Sequence, residues 1–217
     1  MDGELAAAIL CGGRSRRMGR DKAWVEVGGS SLLERAVARL RTVADPVILA
    51  GGDRTLDHPG CLGVLDPVPG SGPLGGLVAA LRASPHELCA VVAVDMPDLS
   101  PELLRRLAEQ WRGEDAVVPL DGDGSQPLHA VYSRRILAAA QAALRAGDLS
   151  LRGLLERARV RTVDVAALPG HPFPAGFALN LNTPDELARW AASRAGAGGG
   201  ERPGRTGAGG VPADSAR

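Results

Sequence analysis

The chain has 217 residues, 25 basic and 25 acidic, for a formal net charge of zero, and only 3% of it is aromatic. That length supports one sizeable α/β domain. The charge balance removes any global attraction to nucleic acid or to an anionic membrane, and the scarcity of aromatics argues against base-stacking platforms. Cys11, Cys61 and Cys89 are odd in number and share no metal-ligand spacing, no apolar run approaches membrane-spanning length, and Asp2 and Glu4 precede the first apolar run instead of a basic leader. The expected setting is the reducing cytoplasm.

ELAAAIL, up to Leu10, is an apolar run of strand length, and LCGGRSRRMGRDK (residues 10–22) follows it as a glycine-bearing loop. Gly12 and Gly13 lack a Cβ, so their backbone can approach a ligand and turn successive amides toward an anion or a base edge. Arg14, Arg16, Arg17, Arg20 and Lys22 crowd positive charge into the same segment, and a polyphosphate is its complement. Lys22 is the only lysine in the chain; the other 24 basic residues are arginines. A lone ammonium in an arginine-rich protein points to a place where a compact, flexible cation is needed and a planar fork would not serve. The loop is neither a Walker A motif nor a GxGxxG fingerprint.

From Ser31, SLLERAVARLRTV has a helical period, with Ser30 or Ser31 as N-cap. PVILA opens at Pro46 as a second strand closed by Gly51-Gly52, and LGVLD, ending at Asp66, reads as a third. A Pro/Gly loop then enters a helix with Pro73 in its first turn. LCAVVAVD (88–95) is the most continuous apolar run and predicts a central parallel strand buried on both faces, with Asp95 where it runs out. Ser100-Pro101 starts the next helix. DAVVP (115–119) and PLHAVY are strands around a DGDGSQ turn, helices occupy about 133–146 and 150–159, and VRTVDV is a late strand. Thr183, Pro184 and Glu186 form a capping-box signature for a closing helix. Residues 195–217 are Gly/Pro-rich and predict a disordered tail.

Strands alternating with helices predict a mostly parallel sheet covered on both faces, with ligands beyond the carboxyl ends of the strands. This rule gathers the glycine loop, Asp66, the GPLGGL loop and Asp95 onto one edge. Asp95 suits magnesium as a hard oxygen ligand bridging to phosphates, against a plain loop-capping role. Asp66 could take hydrogen bonds from a ribose, sit near the metal, or simply start the turn before Pro67. Asn180 and Asn182, the only asparagines, share a face if the segment is extended and could meet a heterocycle edge or a metal's outer shell. His129 reads as structural, and Cys11 as a small apolar loop residue.

The loop closely resembles the signature LxGGxSxRMGxDK of the nucleotidyltransferase superfamily. With GPLGGL, VDMP, QPLHAVY and NLNTPDEL in this order, residues 5–194 resemble the molybdenum cofactor guanylyltransferase family. The resemblance implies a Rossmann-like three-layer α/β/α fold in residues 1–194 and transfer of GMP from magnesium-GTP to molybdopterin, with release of pyrophosphate. It further implies that Leu10, Cys11, Gly12 and Gly13 face the nucleotide, that Lys22 and Arg17 hold the triphosphate, that Asp66 contacts the nucleoside, that Asp95 holds magnesium, and that Asn180 and Asn182 lie on the pterin side. Transient contacts with other cofactor-biosynthesis proteins or with apo-molybdoenzymes belong to the same implication. Cys11 stands where the family usually has alanine, and AGGD after the second strand departs from members with an asparagine there, so no site is carried to that position. A sister cytidylyltransferase usually reads DQP where this chain has DMP. A non-catalytic nucleotide-binding relative would not need Lys22 and Asp95.

Overall fold

The computed structural model describes residues 5–12, 22–169, 173–174 and 176–197. Gly13, Arg14, Arg16, Arg17 and Arg20 lie outside the described residues, as do residues 198–217.

β1 (Leu5–Leu10) alternates its small side chains between two cores. Ala7 and Ile9 pack into one, and Ala6, Ala8 and Leu10 into the other. This period of two across fully buried positions places β1 in the middle of a sheet covered on both sides. After the two-residue strands β2 (Glu26–Val27) and β3 (Ser30–Ser31) comes α1 (Leu32–Leu40), and β4 (Val47–Ala50) and β5 (Cys61–Val64) follow it. The chain continues through α2 (Gly72–Ala83), β6 (Leu88–Ala93), α3 (Pro101–Gln110), β7 (Ala116–Asp121), β8 (Gly124–Ser125), β9 (His129–Ser133), α4 (Leu137–Arg145), α5 (Leu151–Glu156), β10 (Val160–Asp164) and α6 (Pro184–Ala197). The main sheet runs β10-β7-β9-β6-β1-β4-β5, with β8 paired to β7. α1 and α3 contribute to the core on one face, and α2, α4 and α5 to the core on the other.

The helix starts follow local chemistry. Ser31 and Glu34 form a reciprocal capping box at α1, with Ser31 Oγ accepting from Glu34 N–H and Glu34 Oε2 accepting from Ser31 N–H. Thr183 and Glu186 do the same at α6. Three expectations are corrected. β6 is buried throughout but is flanked by parallel β1 on one side and antiparallel β9 on the other. The strands expected to end at Asp66 and Asp95 stop at Val64 and Ala93, which leaves both aspartates in loops. α6 continues to Ala197, three residues into the segment assigned to the tail. Among the described residues, no helix is long and apolar enough to cross a membrane.

The register positions the site. Leu10 is level with Ala50 and with Ala93, and Ala50 with Val64. Two residues beyond each of these rungs stand Gly12, Gly52, Asp95 and Asp66. The parallel pairing alone brings these four positions to one edge of the sheet.

Candidate active site

Lys22 opens a single 3-10 turn, Lys22–Trp24, pinned by the fully buried Ala23. Its ammonium donates to Asp95 Oδ2 at 2.5 Å and to Asn182 Oδ1 at 2.8 Å, so residues 73 and 160 positions away in the chain meet on one cation. The Lys22 and Asp95 side chains are only 19% and 15% exposed, where an ion pair is weakly screened and its geometry is held. Asp95 is tethered through its own backbone as well. Leu10 O accepts from Val94 N–H at 3.1 Å, and Asp95 O accepts from Leu181 N–H at 2.9 Å. That last bond lays the segment before α6 across the aspartate loop.

The other half of the edge is built from glycines. A Cβ on Gly12 would stand 3.0 Å from Gly52 Cα and 3.7 Å from Asp66 Oδ2, and one on Gly75 would collide with Ser71 Oγ and approach Asp66 Oδ2 to 2.9 Å. The two strand-end loops and the start of α2 therefore close on the Asp66 carboxylate as tightly as glycine permits. Asp66 Oδ1 is buried and meets no hydrogen-bond partner. Burial raises the pKa of this carboxyl, and hydrogen bonding from the Gly52 backbone offsets part of the rise. An acceptor left unpaired in a glycine-lined cleft is suited to the N–H or O–H groups of a nucleoside.

Of the residues expected at the site, the structure brings Leu10, Gly12, Asp66, Lys22, Asp95 and Asn182 to this edge, whereas Gly13 and Arg17 lie outside the described residues. Cys11 is buried, its N–H continues the sheet ladder to Ala50 O, and its thiol donates to Ile9 O, as a small core residue would. Asn180 Nδ2 donates to Ala178 O at 3.2 Å, its backbone carbonyl accepts from Asn182 Nδ2 at 3.4 Å, and no strand forms there.

One feature escaped the sequence reading. Asp98, 6% exposed, accepts from Trp190 Nε1 at 2.8 Å and from Arg194 at 2.5 Å, which docks α6 onto the aspartate loop. Arg35 stands 5.5 Å over the Trp190 ring. Asp98→Ala should lower stability in urea by about 2 kcal/mol, because it leaves a buried indole N–H unpaired; an unchanged midpoint would show that α6 is held by other contacts.

His129, read from the sequence as structural, is fully buried, with Nε2 accepting from Ser100 N–H at 3.0 Å. Burial holds its pKa at about 4, so at neutral pH the imidazole is uncharged. As pH falls from about 6.5 toward 4, the unfolded imidazole takes up a proton that the folded one refuses. Stability present above pH 6.5 is thus lost across that window, by on the order of 3 kcal/mol. Urea midpoints between pH 7 and 4 should fall more steeply for the wild type than for His129→Gln; parallel slopes would contradict this.

Among the described residues, no group of three or more His, Cys, Asp and Glu side chains could hold a metal ion. Among the described residues this edge offers the carboxylates of Asp95 and Asp66, fewer than a metal cage needs. That fits magnesium, which takes one or two carboxylates and fills its remaining positions from phosphates and water, and does not fit a structural metal cage.

An α/β sheet that focuses a cation, a metal-competent carboxylate and a glycine-lined acceptor on the carboxyl edge of its strands belongs to the class of nucleotide-handling enzymes. The MobA-like NTP transferase domain matches residues 7–163, and the chain belongs to that family. It is 38% identical over 187 residues to a probable molybdenum cofactor guanylyltransferase of Pelotomaculum thermopropionicum, covering 86% of this chain and 91% of that one. A protein of the same description from Opitutus terrae is 38% identical over 171 residues, covering 76% and 85%. The crystal structure of molybdopterin-guanine dinucleotide biosynthesis protein A from Archaeoglobus fulgidus superposes with a TM-score of 0.75 at 27% identity, over 88% of this chain and 99% of that one.

Proposed function

We propose that the protein transfers GMP from magnesium-GTP to the terminal phosphate of molybdopterin and releases pyrophosphate. The observation that carries this reading is the Lys22–Asp95 pair at the sheet edge, in a chain of this family. An oxygen of the pterin phosphate attacks the α-phosphorus of GTP, a new P–O bond forms, and the bond to the β-phosphate breaks. The nucleophile is already ionised at neutral pH, so no side chain needs to remove a proton from it, and a neutral, buried His129 is consistent with that. The chemistry brings anions together, so most of the work falls to positioning and charge.

In this reading Lys22 gives its ammonium to the triphosphate, with Arg17 as a second cation from the glycine loop. Asp95 would hold magnesium, which would supply neutralisation of the phosphate charge. Asp66 accepts from the nucleoside, beside the backbone of Leu10, Cys11, Gly12 and Gly13. Asn182 orients Lys22 and, with Asn180, lies on the pterin side. Incubation with molybdopterin, magnesium and each nucleoside triphosphate, followed by mass analysis of the pterin product, tests the reading. The expected product is the guanine dinucleotide. A cytosine adduct would assign the protein to the sister activity, and an unchanged pterin would overturn the transfer reading.

A further inference from the structure

We propose that His129 is a positioning residue for this reaction: it joins the loop that carries Asp95 to the segment that carries Asn182, and so keeps both oxygens in register around the Lys22 ammonium. The proposal rests on the reading of Lys22 and Asp95 as the reacting centre. Asp95 begins a loop that ends at Ser100, the N-cap of α3, whose Oγ accepts from Leu103 N–H. Asn182 ends a stretch that starts around Phe177 and leads into α6. The imidazole touches both. Its Nε2 accepts from Ser100 N–H at 3.0 Å, and its ring meets the Phe177 ring edge-on, with centroids 4.9 Å apart and planes at 66°.

The placement comes from the sheet. His129 is level with Val92, one residue before the last residue of β6, so it lies beneath the loop that β6 feeds. Leu181 N–H to Asp95 O and Trp190 to Asp98 tie the same two segments by other routes. His129 differs from these in reaching the two segments from the sheet, where it is fully buried. Its Nδ1 has no partner, and among the described residues its side-chain hydrogen bond is the one to Ser100. A leucine would fill much of the space but leave the Ser100 N–H unpaired, whereas a glutamine places an amide oxygen the same number of bonds from Cα as Nε2. A neutral imidazole is required of an acceptor, and burial provides it.

Because Lys22 is the only lysine, its reactivity reports on the cluster without any turnover. Acylation of its amine by a soluble active ester, followed by mass spectrometry of the peptide that contains it, should run severalfold faster in His129→Leu than in wild type, well below both melting temperatures. GMP transfer by the same variant should lose about tenfold in kcat with the KM for GTP within twofold of wild type, the pattern of misplaced groups with nucleotide binding intact. His129→Gln should restore both. If His129→Leu folds and both Lys22 acylation and kcat stay within twofold of wild type, His129 is a core residue only and the proposal is overturned, whatever its melting temperature. If His129→Leu does not fold, Phe177→Leu, which removes the contact on the other segment, decides by the same two measurements. Acylation needs no substrate. If the wild type transferred no nucleotide at all, a faster Lys22 in His129→Leu, reversed by glutamine, would still support the positioning role while the functional reading alone failed.

Discussion

Asp95→Asn is expected to fold and to lose at least about a hundredfold in turnover, the scale of removing one positioned electrostatic group. Asparagine is nearly isosteric with aspartate. It keeps an oxygen for the Lys22 ammonium, which also retains Asn182 Oδ1 at 2.8 Å. The backbone bond from Leu181 N–H to Asp95 O does not depend on the side chain. The melting temperature should therefore fall by no more than a few degrees. What disappears is the negative charge, and with it the hard oxygen ligand, so the magnesium dependence of the residual activity should weaken as well. Near-normal pyrophosphate release from the folded variant would mean that the metal is held elsewhere.

Lys22→Arg should cost at least about tenfold in turnover despite the unchanged charge, because the reacting geometry tolerates little displacement. The ammonium lies between Asp95 Oδ2 and Asn182 Oδ1 at 2.5 and 2.8 Å, and one tetrahedral nitrogen serves both oxygens from a side chain only 19% exposed. A guanidinium spreads its donors across a rigid plane and is longer, so it cannot put one nitrogen at both contacts without moving the loop or the segment before α6. Turnover within a factor of two of wild type would show that charge alone matters at this position. Thermal melts of the two proteins should differ by a few degrees at most.

Much of the frame is legible in the sequence because it is local. The apolar runs of β1 and β6, the capping residues Ser31 and Thr183, and Pro73 and Pro101 in first turns all act within a few residues of themselves. The lone lysine marked Lys22, and the end of an apolar run marked Asp95. What could not be read is pairing across the chain. A run such as LCAVVA is buried equally well beside a parallel or an antiparallel neighbour, so the placement of β9 between β6 and β7 leaves no trace in β6 itself. The spacing of Asn180 and Asn182 gives a common face only on an extended strand, and no strand forms there. Asp98 and Trp190 are 92 positions apart, and neither carries a local pattern that names the other. His129 was legible as structural but not as the residue beneath the aspartate loop, because that follows from its register with Val92.

Pyrophosphate release by the wild-type protein, measured with molybdopterin and magnesium against each nucleoside triphosphate in turn, most directly tests whether this edge transfers GMP. Release should require the pterin, should be fastest with GTP, and should match the pterin consumed mole for mole. Release as fast with CTP as with GTP, or release that continues without the pterin, would contradict it.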